Sequence, residues 1–151
     1  MLEDKLNQDL KQALLARDVF TASVLRGLKS AVLYAKVAEK MPRDEATPDA
    51  LFIAVLQKEA KKRQESADLY RQGGSEERAV SELAEKAIIE QYLPRQLDES
   101  QVATLVDEAI ASLGEADQRA MGQVIGIVRA KAAGAADGAL IARLVKERLQ
   151  K

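Results

Sequence analysis

Apolar residues recur along almost the whole chain at steps of three and four, the spacing of one helix face. Leu2, Leu6, Leu10 and Leu14 form a stripe that predicts a first helix running to about Ala16. Asp18 stands where it can cap a second helix, whose inward positions are Phe20, Val24, Leu28 and Val32. That pattern fades in EKMPRDEATP. Thr47 is then expected to cap a third helix with Pro48 at its first position, and Gly73-Gly74 to stop it. Ser75 restarts a fourth helix with Val80, Leu83, Ala87 and Ile88 inward.

Pro94 ends the fourth helix, because proline lacks the backbone donor and disfavours helix at the residue before it. Asp98 and Gln101 have capping-box spacing. Val102, Leu105, Val106, Ala109, Ile110 and Leu113 follow as a fifth helix. A sixth holds Met121, Val124, Ile125 and Val128 and ends near Gly134; Asp137 is placed to cap a seventh, with Leu140, Ile141, Leu144, Val145 and Leu149. No stretch alternates as a half-buried strand would. The reading is an all-α chain, with an N-terminal helical domain over 1–93 and a small three-helix domain over 97–151.

Half of the eight glycines fall between 121 and 138. Gly134 and Gly138 flank the turn between the last two helices, and Gly134 is expected to need positive φ. Gly122 and Gly126 lie one turn apart, and their spacing suggests a close helix contact on that face. A Rossmann or Walker loop would need a preceding strand, and a Walker loop also needs Gly-Lys-Ser/Thr; neither is present. The G-x-x-x-G spacing is no membrane signature here, because Arg119, Arg129 and Lys131 bracket it.

Composition narrows the chemistry. The 151 residues are 47% apolar and 31% charged, which suits a globular protein with a real core. There is no Cys and no His, so thiol nucleophiles, disulfides, imidazole bases and the usual zinc sites are ruled out together. MLEDKLNQDL does not resemble a signal peptide, and no window approaches the ~18 apolar residues of a membrane helix. A cytoplasmic protein without membrane contact is expected. Glu76-Glu77 and Asp107-Glu108 are adjacent on helices and so diverge by about 100°; they read as solvated charges. No catalytic constellation, cofactor site or metal site is expected.

Two places hold unusual charge. Arg63 falls on the apolar seam Leu56, Ala60, Arg63, Ala67, Tyr70. A guanidinium there needs a partner, with Glu59, Ser66, Glu82, Glu85 and Glu90 as candidates; a ligand or RNA contact is the other reading. Lys58, Lys61 and Lys62 beside it read as a solvated face. Near the C-terminus, 98–117 carries six acids and no base, while 118–151 carries seven bases and two acids. The basic stretch suits phosphates, or it complements the dipoles of its own helices. Five aromatics leave little scope for base stacking.

Several segments, in this order, resemble the YqeY family: Leu25-Arg26-Gly27-Leu28-Lys29-Ser30-Ala31; Lys62-Arg63-Gln64-Glu65-Ser66 with Tyr70 and Gly73; Tyr92-Leu93-Pro94-Arg95-Gln96-Leu97; Met121-Gly122-Gln123-Val124-Ile125-Gly126; and Ala136-Asp137-Gly138. The resemblance implies a C-terminal module similar to the tail domain of the GatB subunit of the tRNA-dependent amidotransferase. The tail is the part of that enzyme that engages tRNA. A carbon–nitrogen ligase label, with glutamine as amido donor, would follow from the shared tail alone. The catalytic cradle and the glutaminase have no counterpart in this sequence. The expected function is therefore non-catalytic tRNA binding, with Arg129, Lys131, Gly134, Arg143 and Lys146 as candidate RNA contacts. Arg26, Lys29, Lys62 and Arg63 are the N-terminal candidates. The alternative is an interaction module for a protein of the translation machinery, with a structural tail.

Overall fold

The computed structural model describes residues 1–150. They contain seven α-helices and one short 3-10 turn, and none of them lies in a strand. The chain is all-α. Its contacts separate into two compact units, Met1–Leu93 and the part from Pro94 onward.

The first unit holds four helices: α1 (Leu2–Leu15), α2 (Val19–Ala38), α3 (Asp49–Gln72) and α4 (Glu76–Glu90). The helices α1 and α2 form one hairpin and α3 and α4 a longer one, and α2 packs on α3. Asp18 caps α2 as expected, accepting the Thr21 N–H at 3.1 Å. Gly73 ends α3, and Gly74 turns the chain at φ +80°. Leu6, Leu25, Leu28, Phe52, Leu56 and Ile89 are fully buried. Each such side chain contributes about 1.5–3 kcal/mol relative to leaving it in water.

Four inward positions differ from expectation. Leu14 and Phe20 are 47% and 42% exposed. A stripe built only of four-residue steps turns about 40° further round the helix at each step, so its far end leaves the core. On α1 the three-residue alternative wins, and Ala13 is buried instead. On α4, Val80 and Ala87 are exposed while Ala79 and Ile89 are buried. The cause is the polar content of the α3–α4 seam. Lys86 donates to Gln64 Oε1 at 2.8 Å, and Glu85 faces Arg63, so polar residues occupy part of the inward face.

Thr47 does not cap α3. The helix starts at Asp49 with Pro48 at the N-cap. Thr47 is instead buried, and its N–H and hydroxyl donate to the two Glu3 carboxylate oxygens at 2.8 and 3.0 Å. Asp49 in turn accepts the Leu2 N–H at 3.1 Å. These bonds fasten the start of α3 to the start of α1.

The second unit is a three-helix module: α5 (Glu99–Ser112), α6 (Met121–Ala132) and α7 (Gly138–Leu149), with the 3-10 turn Gln118–Ala120 before α6. Each helix packs on the other two. Val102, Val106, Val124, Val128, Ile141 and Val145 are fully buried at their meeting point. The Asp98–Gln101 capping box forms in full. Asp137 and Ser75 stand at the N-caps of α7 and α4, but neither side chain bonds its helix.

Gly122 and Gly126 make no close helix contact. Both are exposed, and an added Cβ would meet nothing within 4 Å. Spacing placed them on one face, but that face is turned to solvent. Gly126→Ala is therefore expected to stabilise the unit by about 0.5–1 kcal/mol through helix propensity, measured as a raised urea midpoint; a lowered midpoint would reveal a contact there. Thr47→Val should lower stability by about 1–3 kcal/mol, because the Glu3 carboxylate loses a hydroxyl donor in a buried setting. A change under a few tenths of a kcal/mol in the same titration would show that the fastening is idle.

Candidate nucleic-acid interface

The turn between α6 and α7 begins at Ala133, whose φ of 47° is left-handed, followed by Gly134 at +86°. Two consecutive left-handed residues reverse the chain sharply, and the second falls on glycine, which carries no Cβ penalty there. The turn is held from outside itself. The Leu97 N–H donates to the Ala135 carbonyl at 2.7 Å. Gln96 Nε2 donates to the carbonyls of Gly134, at 3.2 Å, and Pro94, at 3.0 Å. Pro94-Arg95-Gln96-Leu97 and the glycine turn, far apart in sequence, thus form one bonded cluster.

Arg129 lies in the last turn of α6, and its guanidinium covers the start of α7. A Cβ added to Gly138 would sit 2.6 Å from an Arg129 nitrogen, so glycine there leaves room for the cation. Lys131, two residues on, projects about 200° round the helix from Arg129. The two cations therefore point to different sides of α6 just before the turn. Both also complement the C-terminal end of the α6 dipole.

On α7 the candidates divide. Arg143 pairs with Glu99 of α5 at 3.0 Å and with Glu147 at 3.2 Å. The hydrogen bond to Glu99 raises its already high pKa further. Arg148 pairs with Asp107 at 2.9 Å. The acidic and basic stretches of the sequence thus partly neutralise each other. Arg129, Lys131 and Lys146 are exposed and make no ion pair among the described residues.

The N-terminal candidates divide in the same way. Arg26 and Lys29 are exposed on α2, at i,i+3 spacing on one side of the helix. On α3, Lys62 pairs with Glu59 at 3.2 Å. Arg63 bonds Glu59 through one nitrogen and Glu85 through another at 3.2 Å. It is the expected seam ion pair. Burial alone would lower the Arg63 pKa, but hydrogen bonds to Glu59 and Glu85 outweigh it and raise it. Burial likewise opposes the charged form of Glu59, and the bonds from Arg63 and Lys62 still hold its pKa below the ordinary value.

Two further polar groups are buried. Lys36 is 4% exposed and donates to the main-chain carbonyls of Arg43, at 3.1 Å, and of Glu45. Tyr92, also buried, donates its hydroxyl to Asp9 of α1, while Lys5 lies 5.2 Å over its ring. Burial, then the Asp9 bond, pushes the phenol pKa well above its ordinary value. Apolar periodicity carries no signal for either. Among the described residues no cluster of three or more acids could hold a metal ion, and no helix is long and apolar enough to cross a membrane.

A family model described as Yqey-like protein matches residues 3–149, nearly the whole chain, and the chain belongs to the YqeY family. None of the curated proteins matches it.

Arg63→Ala is expected to destabilise the protein by about 2–3 kcal/mol, since two half-buried carboxylates lose their partner. Lys61→Ala should stay within about 0.5 kcal/mol. Equal, small losses in denaturant titrations would reduce Arg63 to a surface charge. The depressed Glu59 pKa gives a sign for pH. Its contribution is complete above the ordinary glutamate pKa and is lost as pH falls through the lower folded value. Wild type should therefore lose more stability on acidification than Glu59→Gln, compared by melting across the acid range.

Proposed function

We propose that the C-terminal unit is a non-catalytic RNA-binding element that grips phosphates at the α6–α7 turn, with tRNA as its partner. Its resemblance to the GatB tail supports tRNA as the ligand. The observation that carries the reading is the selective pairing of its bases. Arg143 and Arg148 are engaged by Glu99, Glu147 and Asp107, whereas Arg129, Lys131 and Lys146 keep their charge free of any acid among the described residues. The turn that follows the first two is braced by bonds from Gln96 and Leu97, so a phosphate contact would need less ordering. Such a role belongs in the cytoplasm. Amide transfer belongs to other parts of the amidotransferase, and the proposal for this chain is binding alone.

Salt-titrated tRNA binding tests this reading. Wild-type affinity should fall steeply with salt, by a log–log slope of about 0.7–0.9 per phosphate contact. Arg129→Glu with Lys131→Glu should weaken binding and flatten that slope while the unit stays folded, melting falling only slightly because two acids then oppose the end of the α6 dipole. Arg148→Gln, which alters a cation already paired, should bind nearly as wild type. Equal binding by wild type and the double reversal would remove the turn from the interface.

A second reading, a protein-interaction module, is favoured by one observation. Leu14, Leu15, Val19 and Phe20 are 42–79% exposed around the α1–α2 turn, and clustered exposed apolar side chains suit a partner protein. Absence of tRNA binding at low salt would bring this reading forward.

A further inference from the structure

A cavity of about 320 Å³ lies in the first unit, lined by α1, α2, α3 and the loop that follows α2. Its volume is within the range of small-molecule sites. Leu6, Val32 and Phe52 supply an apolar wall, and Lys29, Lys36 and Arg43 line it as well. The one acid in the lining is Glu3, whose two oxygens already accept from Thr47.

Lys36 is the informative residue. An ammonium has three donors. Two are met by the carbonyls of Arg43 and Glu45, and the third has no acceptor among the described residues. No carboxylate pairs with this buried charge. Neutral dipoles offset only part of the cost of taking a cation out of water. Lys29 and Arg43 add two more cations without an acid partner among the described residues. The lining thus sets an excess of positive charge, three cations against the Glu3 carboxylate, beside an apolar wall, in the unit that does not carry the turn assigned to RNA.

We propose that this cavity binds a small organic anion. Its carboxylate or phosphate head accepts from the free Lys36 donor, Lys29 and Arg43 add attraction, and its short apolar body rests on Leu6, Val32 and Phe52. The charge and the wall together select against neutral molecules and against bare inorganic anions.

Isothermal titration of the full chain with octanoate, octyl phosphate, 1-octanol and inorganic phosphate tests this. One or both octyl anions should bind, with the tighter one identifying the head group. 1-Octanol and inorganic phosphate should each bind at least about tenfold more weakly, the worth of a charge-assisted hydrogen bond or of a buried apolar body. Lys36→Met should weaken the octyl anion by at least about tenfold. That variant also strips two carbonyls of their donor, so Lys29→Gln with Arg43→Gln provides a second measure. Those side chains are exposed, melting should be unchanged, and binding should weaken by about threefold or more. Absence of binding by both octyl anions up to about 1 mM overturns the site, as does equal binding of 1-octanol. Undiminished binding by the folded double variant and by folded Lys36→Met also overturns it. None of these outcomes alters tRNA binding, which is measured separately on the same protein.

Discussion

The broadest helix contact of the first unit is organised around one guanidinium. Arg63 sits between two buried alanines on the α3 seam, Ala60 and Ala67, and reaches Glu59 on its own helix and Glu85 on α4. Small residues on either side let α4 approach closely, and the long arginine then spans the gap. A half-buried guanidinium needs both carboxylates, because one alone would leave donors unpaired in a low-dielectric seam. Glu85 has to face α3, which turns Lys86 towards Gln64 and fixes which residues of α4 point inward. The rotation of α4, and hence the exposure of Val80, follows from a charge requirement rather than from apolar pattern.

The same logic runs through the rest of that unit. Glu3 receives two donors from Thr47, Asp49 receives the Leu2 N–H, and Tyr92 donates to Asp9. Each bond joins α1 to a segment at least 44 residues away. With aromatics only 3% of the sequence, the core is built from short aliphatic side chains. Such cores bury area but specify register weakly. Directional bonds between side chains and distant backbone supply the specificity. Tyr92, in the Tyr-Leu-Pro segment of this chain, thus has a structural role.

What was legible in the sequence was local. Helices, the Asp18 cap, the Asp98–Gln101 box and the left-handed Gly134 depend on residues within one turn of each other, and all are present. Arg63 was legible for a different reason, since a cation on an apolar stripe demands an acid and Glu59 and Glu85 were at hand. The failures share a cause. Thr47 prefers Glu3, 44 residues away, to its own helix; Lys36 closes a loop through carbonyls; Gly122 and Gly126 share a face whose neighbour is solvent. Periodicity says which residues share a face, but not what that face meets.

Charge behaves likewise in the second unit. Six acids followed by a run of bases look like a polarised surface when read along the chain. In three dimensions α5 and α7 pack together, and Arg143 and Arg148 are drawn onto Glu99 and Asp107. The sequence polarity is therefore partly spent on pairing α5 with α7. What survives as free positive charge is concentrated at the end of α6, where no acid of α5 pairs with Arg129 or Lys131, together with Lys146. There the field of two cations is set beside a backbone turn whose carbonyls are braced by Leu97 and Gln96. A flexible basic tail would attract any polyanion, but charge mounted on a fixed turn favours those whose phosphate spacing fits it. On the proposed RNA role, the distinction between general attraction and selective contact would rest on the Gly134 reversal as much as on the lysine and arginine before it.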